Sequence, residues 1–348
     1  MSVVPVALVG LSKEGFLVLA EGLGLKPYQV RDMYRWTYHR RVFDPLMWTS
    51  LPKTAREALA VRCSAGLPEV LGEMQSADGT VKFLFGLADG NRVEAVYIPD
   101  GGRRTLCISS QVGCALQCVF CLTGTLGLAR NLSAGEIVGQ VLAVESRTDL
   151  REFAYNIVFM GMGEPLANME NLLAALAILE DSEGVSLSKR RITISTSGLA
   201  DALESLAENP LCPQLALSLG SAKDPVRDRL MPINRRFPLA RLRRVLEGLA
   251  RTNRQRVSIE YTLLKDENDS DPDARALVRF AQGLKVKVNL IRFNGAQGLP
   301  FKPAGEERTK AFQRILLDAN IATSIRKSRG DDIFAACGQL ALRGGVGE

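Results

Sequence analysis

From residue 105 to residue 327 short apolar segments alternate with longer helical ones, and this repetition constrains the fold more than any other feature. The strand-like segments are 105–110, 156–161, 191–196, 214–219, 257–264, 287–293 and 322–327. The clearest helix start between them is Ser133-Ala-Gly-Glu136, a capping-box pattern. Strands separated by helices pair in parallel, because the crossover must run back before the next strand begins. The expectation is an α/β fold around a parallel sheet, open or closed into a barrel. In either form sites gather at the carboxyl ends of the strands. Cys114 follows the first strand, Gly163 and Glu164 the second, and Asn294 the sixth. Ser195 and Ser197 end the third, Ser218 and Leu219 the fourth, and Cys337 follows the last. A serine there is ordinarily a helix cap; it is the convergence of several such positions that marks a cavity.

The run Cys114-Ala-Leu-Gln-Cys118-Val-Phe-Cys121 places three thiols within eight residues. Iron–sulfur cubes are held by cysteine thiolates and normally take four. Three close ligands point to a cube with one iron open to a small molecule. Two other readings stand beside it. Positions i, i+4 and i+7 share a helix face, so the three could be packing thiols. Zinc could also sit here, with Cys107 as a fourth ligand.

Seven cysteines, four of them between 107 and 121, do not form a secreted disulfide framework. The apolar run at 3–11 has no basic residue before it and ends at Lys13 and Glu14, so neither a secretory signal nor a membrane span is expected. A reducing, cytoplasmic setting follows. The net charge of +6 favours a polyanionic partner. The cations cluster at Arg40-Arg41, Lys189-Arg190-Arg191, Arg235-Arg236, Arg241/Arg243/Arg244, Arg251/Arg254/Arg256 and Arg326-Lys327 with Arg329. The single histidine, His39, rules out a multi-histidine metal site in one chain and leaves no histidine near the cysteines in sequence.

Residues 1–70 read as a helical accessory domain. Ser12 caps a helix to about Glu21, a second spans 28–41, and Leu51-Pro52-Lys53 opens a third. Trp36 and Trp48 have apolar neighbours and read as core. Residues 71–100 read as a β-hairpin linker, with strands at 81–85 and 93–98 around the turn Ala88-Asp-Gly-Asn91. Residues 101–348 form the α/β unit. On local sequence alone Glu94 reads as a solvated strand residue, Cys107 as core, and Cys337 as a packing thiol or a functional one. Cys63 and Cys212 read as inert.

The motifs carry a resemblance. Cys114-x3-Cys118-x2-Cys121, with Phe120 before the last thiol, is similar to the cluster motif of radical S-adenosylmethionine (SAM) enzymes. Val93-Glu-Ala-Val-Tyr-Ile-Pro99, Cys107-Ile-Ser-Ser-Gln-Val-Gly-Cys114, Gly161-Met-Gly-Glu-Pro165 and Leu187-Ser-Lys-Arg-Arg191 narrow it. So do Ser195-Thr-Ser-Gly198, Met231-Pro-Ile-Asn234, Arg329-Gly-Asp-Asp-Ile333 and Ala336-Cys-Gly-Gln-Leu340. Together, and in this order, they resemble the RlmN/Cfr family of RNA methyltransferases, from about Leu11 to Leu340. The resemblance implies a partial (βα)6-type barrel, a 4Fe–4S cluster on Cys114, Cys118 and Cys121, and SAM chelated to its open iron. Gly163, Glu164, Ser195, Ser218, Leu219 and Asn294 would hold SAM. A carboxylate suits the ammonium of SAM, and hydroxyls and an amide suit its ribose and adenine.

The resemblance also implies why radical chemistry is used. An adenine ring carbon is a poor nucleophile toward a sulfonium methyl. Cys337 would take a methyl from a first SAM. A second SAM, cleaved by one electron, would yield a 5′-deoxyadenosyl radical that removes a hydrogen from that methyl. The carbon radical would add to the ring, Glu94 would remove the ring proton, and Cys107 would release the product by forming a disulfide with Cys337. Two SAM molecules would serve each turnover, with a one-electron donor such as flavodoxin. RlmN members act on carbon 2 of an adenosine in 23S rRNA, some also on tRNA; Cfr members act on carbon 8. Gly163-Glu-Pro165 and the helical module are more like RlmN. A monomer is expected. The chain departs from the family pattern at Gly220, where His is usual, and at Arg292-Phe-Asn-Gly295, where Pro-Trp-Asn-Pro is typical.

Overall fold

The computed structural model describes residues 5–252, 256–295, 298–340 and 342. The chain opens with β1 (Val6–Ala7), α1 (Lys13–Leu19), α2 (Pro27–Tyr38), α3 (Lys53–Arg62) and β2 (Cys63–Ser64). β1 and β2 pair in parallel, so the helical segment is tied off by a short ladder not foreseen from sequence. Ser12 Oγ accepts from Gly15 N–H at 3.2 Å, as a cap should. α1 stops at Leu19 rather than Glu21, because Gly22 and Gly24 turn the chain through the left-handed region. Phe16 packs edge-on against Tyr34 and Tyr38, with ring centroids 5.9 and 6.3 Å apart. Trp48 is fully buried; Trp36 is half-buried, with the Arg40 guanidinium 4.0 Å over its ring.

Next come β3 (Glu69–Gln75), β4 (Val81–Gly86), β5 (Arg92–Asp100) and β6 (Arg103–Cys107), an antiparallel meander. β7 (Gln111–Gly113) and β8 (Leu128–Asn131) form a ribbon around the cysteine run, with α4 (Leu122–Thr125) between them. The remaining elements alternate: α5 (Ala134–Glu145), β9 (Tyr155–Phe159), α6 (Met169–Glu180), β10 (Ile192–Thr196), α7 (Ala200–Glu208) and β11 (Gln214–Ser218). Then come α8 (Asp224–Leu230), α9 (Leu239–Thr252), β12 (Val257–Leu263), α10 (Asp271–Ala281), β13 (Val286–Arg292), α11 (Glu306–Asp318) and β14 (Thr323–Arg326). All seven expected strands are present, with ends shifted by at most three residues.

One ten-stranded sheet holds the fold, in the order β14-β13-β12-β11-β10-β9-β6-β5-β4-β3. From β6 to β14 it is parallel, six strand–helix units closed off by a seventh strand. β14 and β3 are its two ends, so the barrel is partial. The 71–100 segment is therefore not a hairpin linker. It has three strands and is continuous with the barrel sheet through β5–β6. Residues 93–97 of β5 are buried in unbroken succession, and a strand covered on both faces belongs inside a sheet.

The helices form where the pattern says. In α5, Ser133 Oγ accepts from Glu136 N–H at 3.2 Å and Glu136 Oε2 from Ser133 N–H at 2.8 Å. In α6, Leu172, Ala175, Leu176 and Leu179 recur at helical spacing and are fully buried. Each such leucine is worth roughly 1.5–3 kcal/mol of burial. The helical module shares this core: Arg41 Nε meets Glu145 Oε2 on α5 at 2.6 Å, and Tyr155 donates to Glu145 Oε1 at 2.7 Å. α2 accordingly ends at Tyr38, not Arg41, which takes φ +62 to make that pair.

Arg41 is thus structural rather than a surface cation. Arg241 is held by Asp201 and Glu204, and Arg243 by carbonyls at the end of α10. Lys189, Arg190, Arg235, Arg236 and Lys327 remain exposed. Arg254 and the side chain of Arg251 lie outside the described residues. Among the described residues no helix is long and apolar enough to cross a membrane.

Candidate active site

The cysteine run is a loop, not a helix face. Gln117 has φ +52, and the segment is pinned from outside. Cys114 N–H donates to Gly127 O at 2.7 Å, Val119 N–H to Leu230 O at 3.1 Å, and Leu122 N–H to Gly338 O at 2.8 Å. Burial pushes the Cys114 thiol up to about 11 and Cys118 higher still, and the charges of the neighbouring thiols add to both shifts. The three sulfurs thus share one electrostatic neighbourhood, against an apolar wall of Leu230, Met231 and Phe293. Among the described residues no three His, Cys, Asp or Glu side chains close on one ion position. A cube takes each thiolate on a different iron, and one loop here supplies three thiols for it. The donor set fits the cluster, with ligation drawing off the thiol protons.

Beside it, Gly163 has φ +96, and a Cβ there would lie 2.5 Å from Gln111 Cβ. That close approach lets Gln111 Oε1 accept from Glu164 N–H at 2.8 Å. Glu164 is buried, its Oε2 accepting from Ser197 N–H at 2.8 Å and its Oε1 from Leu166 N–H at 3.2 Å. Burial raises its carboxyl above the usual range. A carboxylate has about four acceptor sites, so both oxygens can still receive an ammonium. Ser195 Oγ and Ser218 Oγ are 3.3 Å apart, at the ends of neighbouring strands. Leu219 differs: its N–H donates to Glu260 O, its carbonyl accepts from Arg227, and its side chain is fully buried. It offers a ligand shape rather than a hydrogen bond.

A cavity of about 370 Å³ opens inside the partial barrel. Cys107, Cys337, Asn294 and Glu260 line it, and Arg103, Arg326, Lys327 and Arg329 stand on its wall and rim. Asn294 Oδ1 accepts from Ser328 Oγ. Burial pushes the Cys107 thiol well up, and Cys337 adds to the shift. Cys337 is raised by the protein around it and then by Glu260, although its surface opens to the cavity. Both thiols are free, and Cys107, buried in the core as its strand position implied, also borders this cavity.

Glu94 is not the solvated residue its strand position implied. It is 1% exposed, and its carboxylate lies 3.2 Å from Lys82 Nζ and accepts from Leu342 N–H at 3.1 Å. It shares the inward face of β5 with Ile98, which lines the cavity, but is itself covered by the C-terminal segment.

The Cys337 loop is anchored on the meander. Asp332 Oδ1 accepts from Ser76 Oγ at 2.5 Å and Oδ2 from Ala77 N–H at 3.1 Å. Gly330 N–H donates to Asp78 Oδ2 at 3.2 Å, and Arg329 pairs with Asp100. Sequence reading noted the Arg329–Ile333 motif but not this function. It also passed over Arg227, fully buried, whose guanidinium donates to Leu219 O at 2.8 Å, Asn234 Oδ1 at 2.7 Å and Ser197 O at 2.6 Å. Burial lowers its pKa to about 10. A charge on the apolar face that Leu230 continues was the available signal. Glu260, alone in the apolar strand Val257–Leu263, was another.

The departures resolve physically. Gly220 has φ +68, and a Cβ there would meet Met231 Sδ at 2.4 Å, so Met231 fills the space a side chain would need. Arg292 points to solvent and lies outside the cavity lining, while Phe293 packs edge-on against Phe301 at 6.3 Å.

The Radical SAM superfamily profile matches residues 108–278. A dual-specificity RNA methyltransferase RlmN of Jannaschia sp. is 46% identical, covering 97% of this chain and 90% of its own. Its namesake in Rhodospirillum rubrum is 45% identical, with 97% and 80% covered. The crystal structure of a radical SAM methyltransferase from Sphaerobacter thermophilus superposes with a TM-score of 0.91 at 41% identity, covering 97% of this chain and 99% of that one. Fold, cysteine loop and near-full-length identity agree, and the chain belongs to the RlmN family of radical-SAM RNA methyltransferases.

Proposed function

We propose that this enzyme methylates carbon 2 of an adenosine in 23S rRNA, and of tRNA, through an S-methyl group carried on Cys337. The observation that carries the reading is the pairing of Cys107 and Cys337 in one cavity, next to the loop of Cys114, Cys118 and Cys121. A transferase that passed a methyl straight from SAM to RNA would need neither thiol. The relatives' dual-specificity name supports two RNA classes as substrates.

Cys114, Cys118 and Cys121 would hold the cluster, which with SAM would supply one-electron reductive chemistry. The chain's own residues do the rest. Glu164, fixed by two backbone N–H groups, presents a carboxylate to the ammonium of SAM. Gly163 lets the chain pass close to Gln111. Ser195, Ser218 and Asn294 offer hydroxyls and an amide to the nucleoside, and Leu219 walls it. Cys337 accepts and presents the methyl group. Glu94 takes the ring proton once the Leu342 N–H has withdrawn. Cys107, as a thiolate, then attacks the Cys337 sulfur; the S–S bond forms as the S–C bond to the adduct breaks, its pair staying on the methylene carbon, which takes up a proton to complete the methyl group, and an external dithiol reduces the disulfide. The rim cations Arg103, Arg326, Lys327 and Arg329 face RNA phosphates. Two SAM molecules serve each turnover, flavodoxin or a similar carrier donates the electron, and the enzyme works as a cytoplasmic monomer.

Nucleoside mass spectrometry of 23S rRNA and tRNA, from cells with and without the protein, tests the assignment. The expected product is 2-methyladenosine in both RNAs. An 8-methyladenosine product would overturn the target carbon. Cys337→Ala should abolish the product with iron content unchanged, and Cys107→Ala should accumulate a covalent protein–RNA adduct.

A further inference from the structure

Loading Cys337 with a methyl group leaves a proton to be placed. The sulfur attacks as a thiolate, yet its surroundings favour the neutral thiol. The other ionisable groups that act on it or line its cavity are Cys107, Cys121, Glu260, Asp100, Arg103, Arg326, Lys327 and Arg329. The cations accept no proton, Asp100 is paired with Arg329, burial keeps Cys107 a neutral thiol, and Cys121 is a ligand of the bound cluster.

Glu260 has the right form. It sits on β12, 5% exposed, in the wall of the cavity that Cys337 also lines. Its Oε1 accepts from Asn289 Nδ2 at 2.7 Å, and Asn289 is oriented in turn by Ser324 Oγ at 2.7 Å. Arg326 Nη2 stands 3.9 Å from the same oxygen. The second oxygen, Oε2, is buried and has no hydrogen-bond partner among the described residues. Leaving such an atom unsatisfied costs about 1–3 kcal/mol or more, so it is poorly explained as scaffolding. Burial holds the carboxyl above the usual range, opposed by Arg326, Asn289 and Lys287. That brings its proton affinity nearer to a thiol's, as efficient transfer requires.

We propose that Glu260 Oε2 takes the proton of the Cys337 thiol, directly or through one water, as that sulfur receives the methyl group of SAM. The Cys337 sulfur forms the new S–C bond with its own electron pair. The sulfonium S–C bond breaks, its pair staying on the departing thioether, S-adenosylhomocysteine. The proton passes to Glu260, and no oxidant or reductant is consumed. This rests on the reading of Cys337 as methyl carrier.

The test uses the cluster-loaded enzyme, SAM with a labelled methyl group, and no reductant or RNA. The methylated Cys337 peptide is followed by mass spectrometry from pH 6 to 9, and SAM affinity is measured separately. Glu260→Gln, which keeps the shape and can still accept from Asn289, should slow loading about 100-fold or more at neutral pH. SAM affinity should not change, and the deficit should shrink as pH rises. Glu260→Asp should recover part of the rate, and it decides the matter if the Gln variant does not fold. Loading at the wild-type rate in Glu260→Gln, or a deficit that follows lost SAM affinity at every pH, would overturn the proposal. Wild-type enzyme that methylates RNA without ever carrying a methyl on Cys337 would overturn the carrier reading beneath it, a separately visible result.

Discussion

Lys82 and Glu94 form a 3.2 Å ion pair on neighbouring antiparallel strands, with side chains 4% and 1% exposed. They sit diagonally, since Lys82 lies opposite Val96 and Glu94 opposite Leu84. The residue proposed to take the substrate proton is therefore stored as a desolvated carboxylate against a fixed cation. Lys82→Met removes one partner and should cost about 3–5 kcal/mol of stability. Lys82→Met/Glu94→Gln should recover much of the loss while still failing to methylate RNA. Denaturant midpoints of the four proteins measure the coupling; an equal loss in single and double variants would show that the pair is not what holds this face.

Gly220 and Met231 compete for one space. Gly220→Ala should destabilise by about 2 kcal/mol or more, from left-handed strain plus overpacking. Adding Met231→Ala should return the packing part and leave the strain. A double-mutant cycle reads the two apart, and strictly additive losses would contradict the contact of 2.4 Å that an added Cβ would make.

Cys212 gives a pH prediction. Burial raises its thiol to about 11 from an ordinary 9. A raised acid is neutral longer in the folded chain, so its contribution to stability is complete below about pH 9 and is lost as pH climbs through about 11. Two units correspond to on the order of 2 kcal/mol. Between pH 9 and 11 the unfolding free energy of Cys212→Ala should fall less steeply than that of the parent. Parallel curves would remove the thiol from the alkaline transition.

Asp332 fixes the Cys337 loop without belonging to the core. Asp332→Ala should lower RNA methylation several-fold, leave iron content unchanged, and speed limited proteolysis between residues 328 and 336. Its carboxyl is held below the usual range by Ser76 and the Ala77 N–H. The anchoring it provides is therefore present above that range and is lost as pH falls through the lowered value. Unchanged proteolysis would mean that Gly330 and Arg329 suffice.

The parallel sheet was legible because βα repetition has few solutions, and the strand ends then pointed to the cavity. Less was legible where function depends on pairing across distant chain. Glu94 looked solvated because alternation along β5 does not reveal that both faces are covered. Arg41 and Arg241 looked like RNA contacts because charge alone does not show Glu145 or Glu204 waiting opposite. The 114–121 run fitted a helical spacing, while its true form depends on Gly127, Leu230 and Gly338, which are remote in sequence. Glu260 and Arg227 were passed over because one charge in an apolar run says only that a partner exists somewhere.

The loop that carries Cys337 lies towards the C-terminal end of the described residues, and its anchors, Ser76, Ala77 and Asp78, precede the parallel strands in sequence. The hydrogen bond from Ser76 to Asp332 closes 256 residues, and that from Thr123 to Leu340 closes 217. During synthesis the three cluster thiols and most of the barrel leave the ribosome before Cys337 exists. Because Leu122 N–H donates to Gly338 O, the cysteine loop too lacks one of its pins until this segment arrives. When the tail packs back onto strands made first, it therefore completes the cysteine loop and the Cys337 wall of the cavity together.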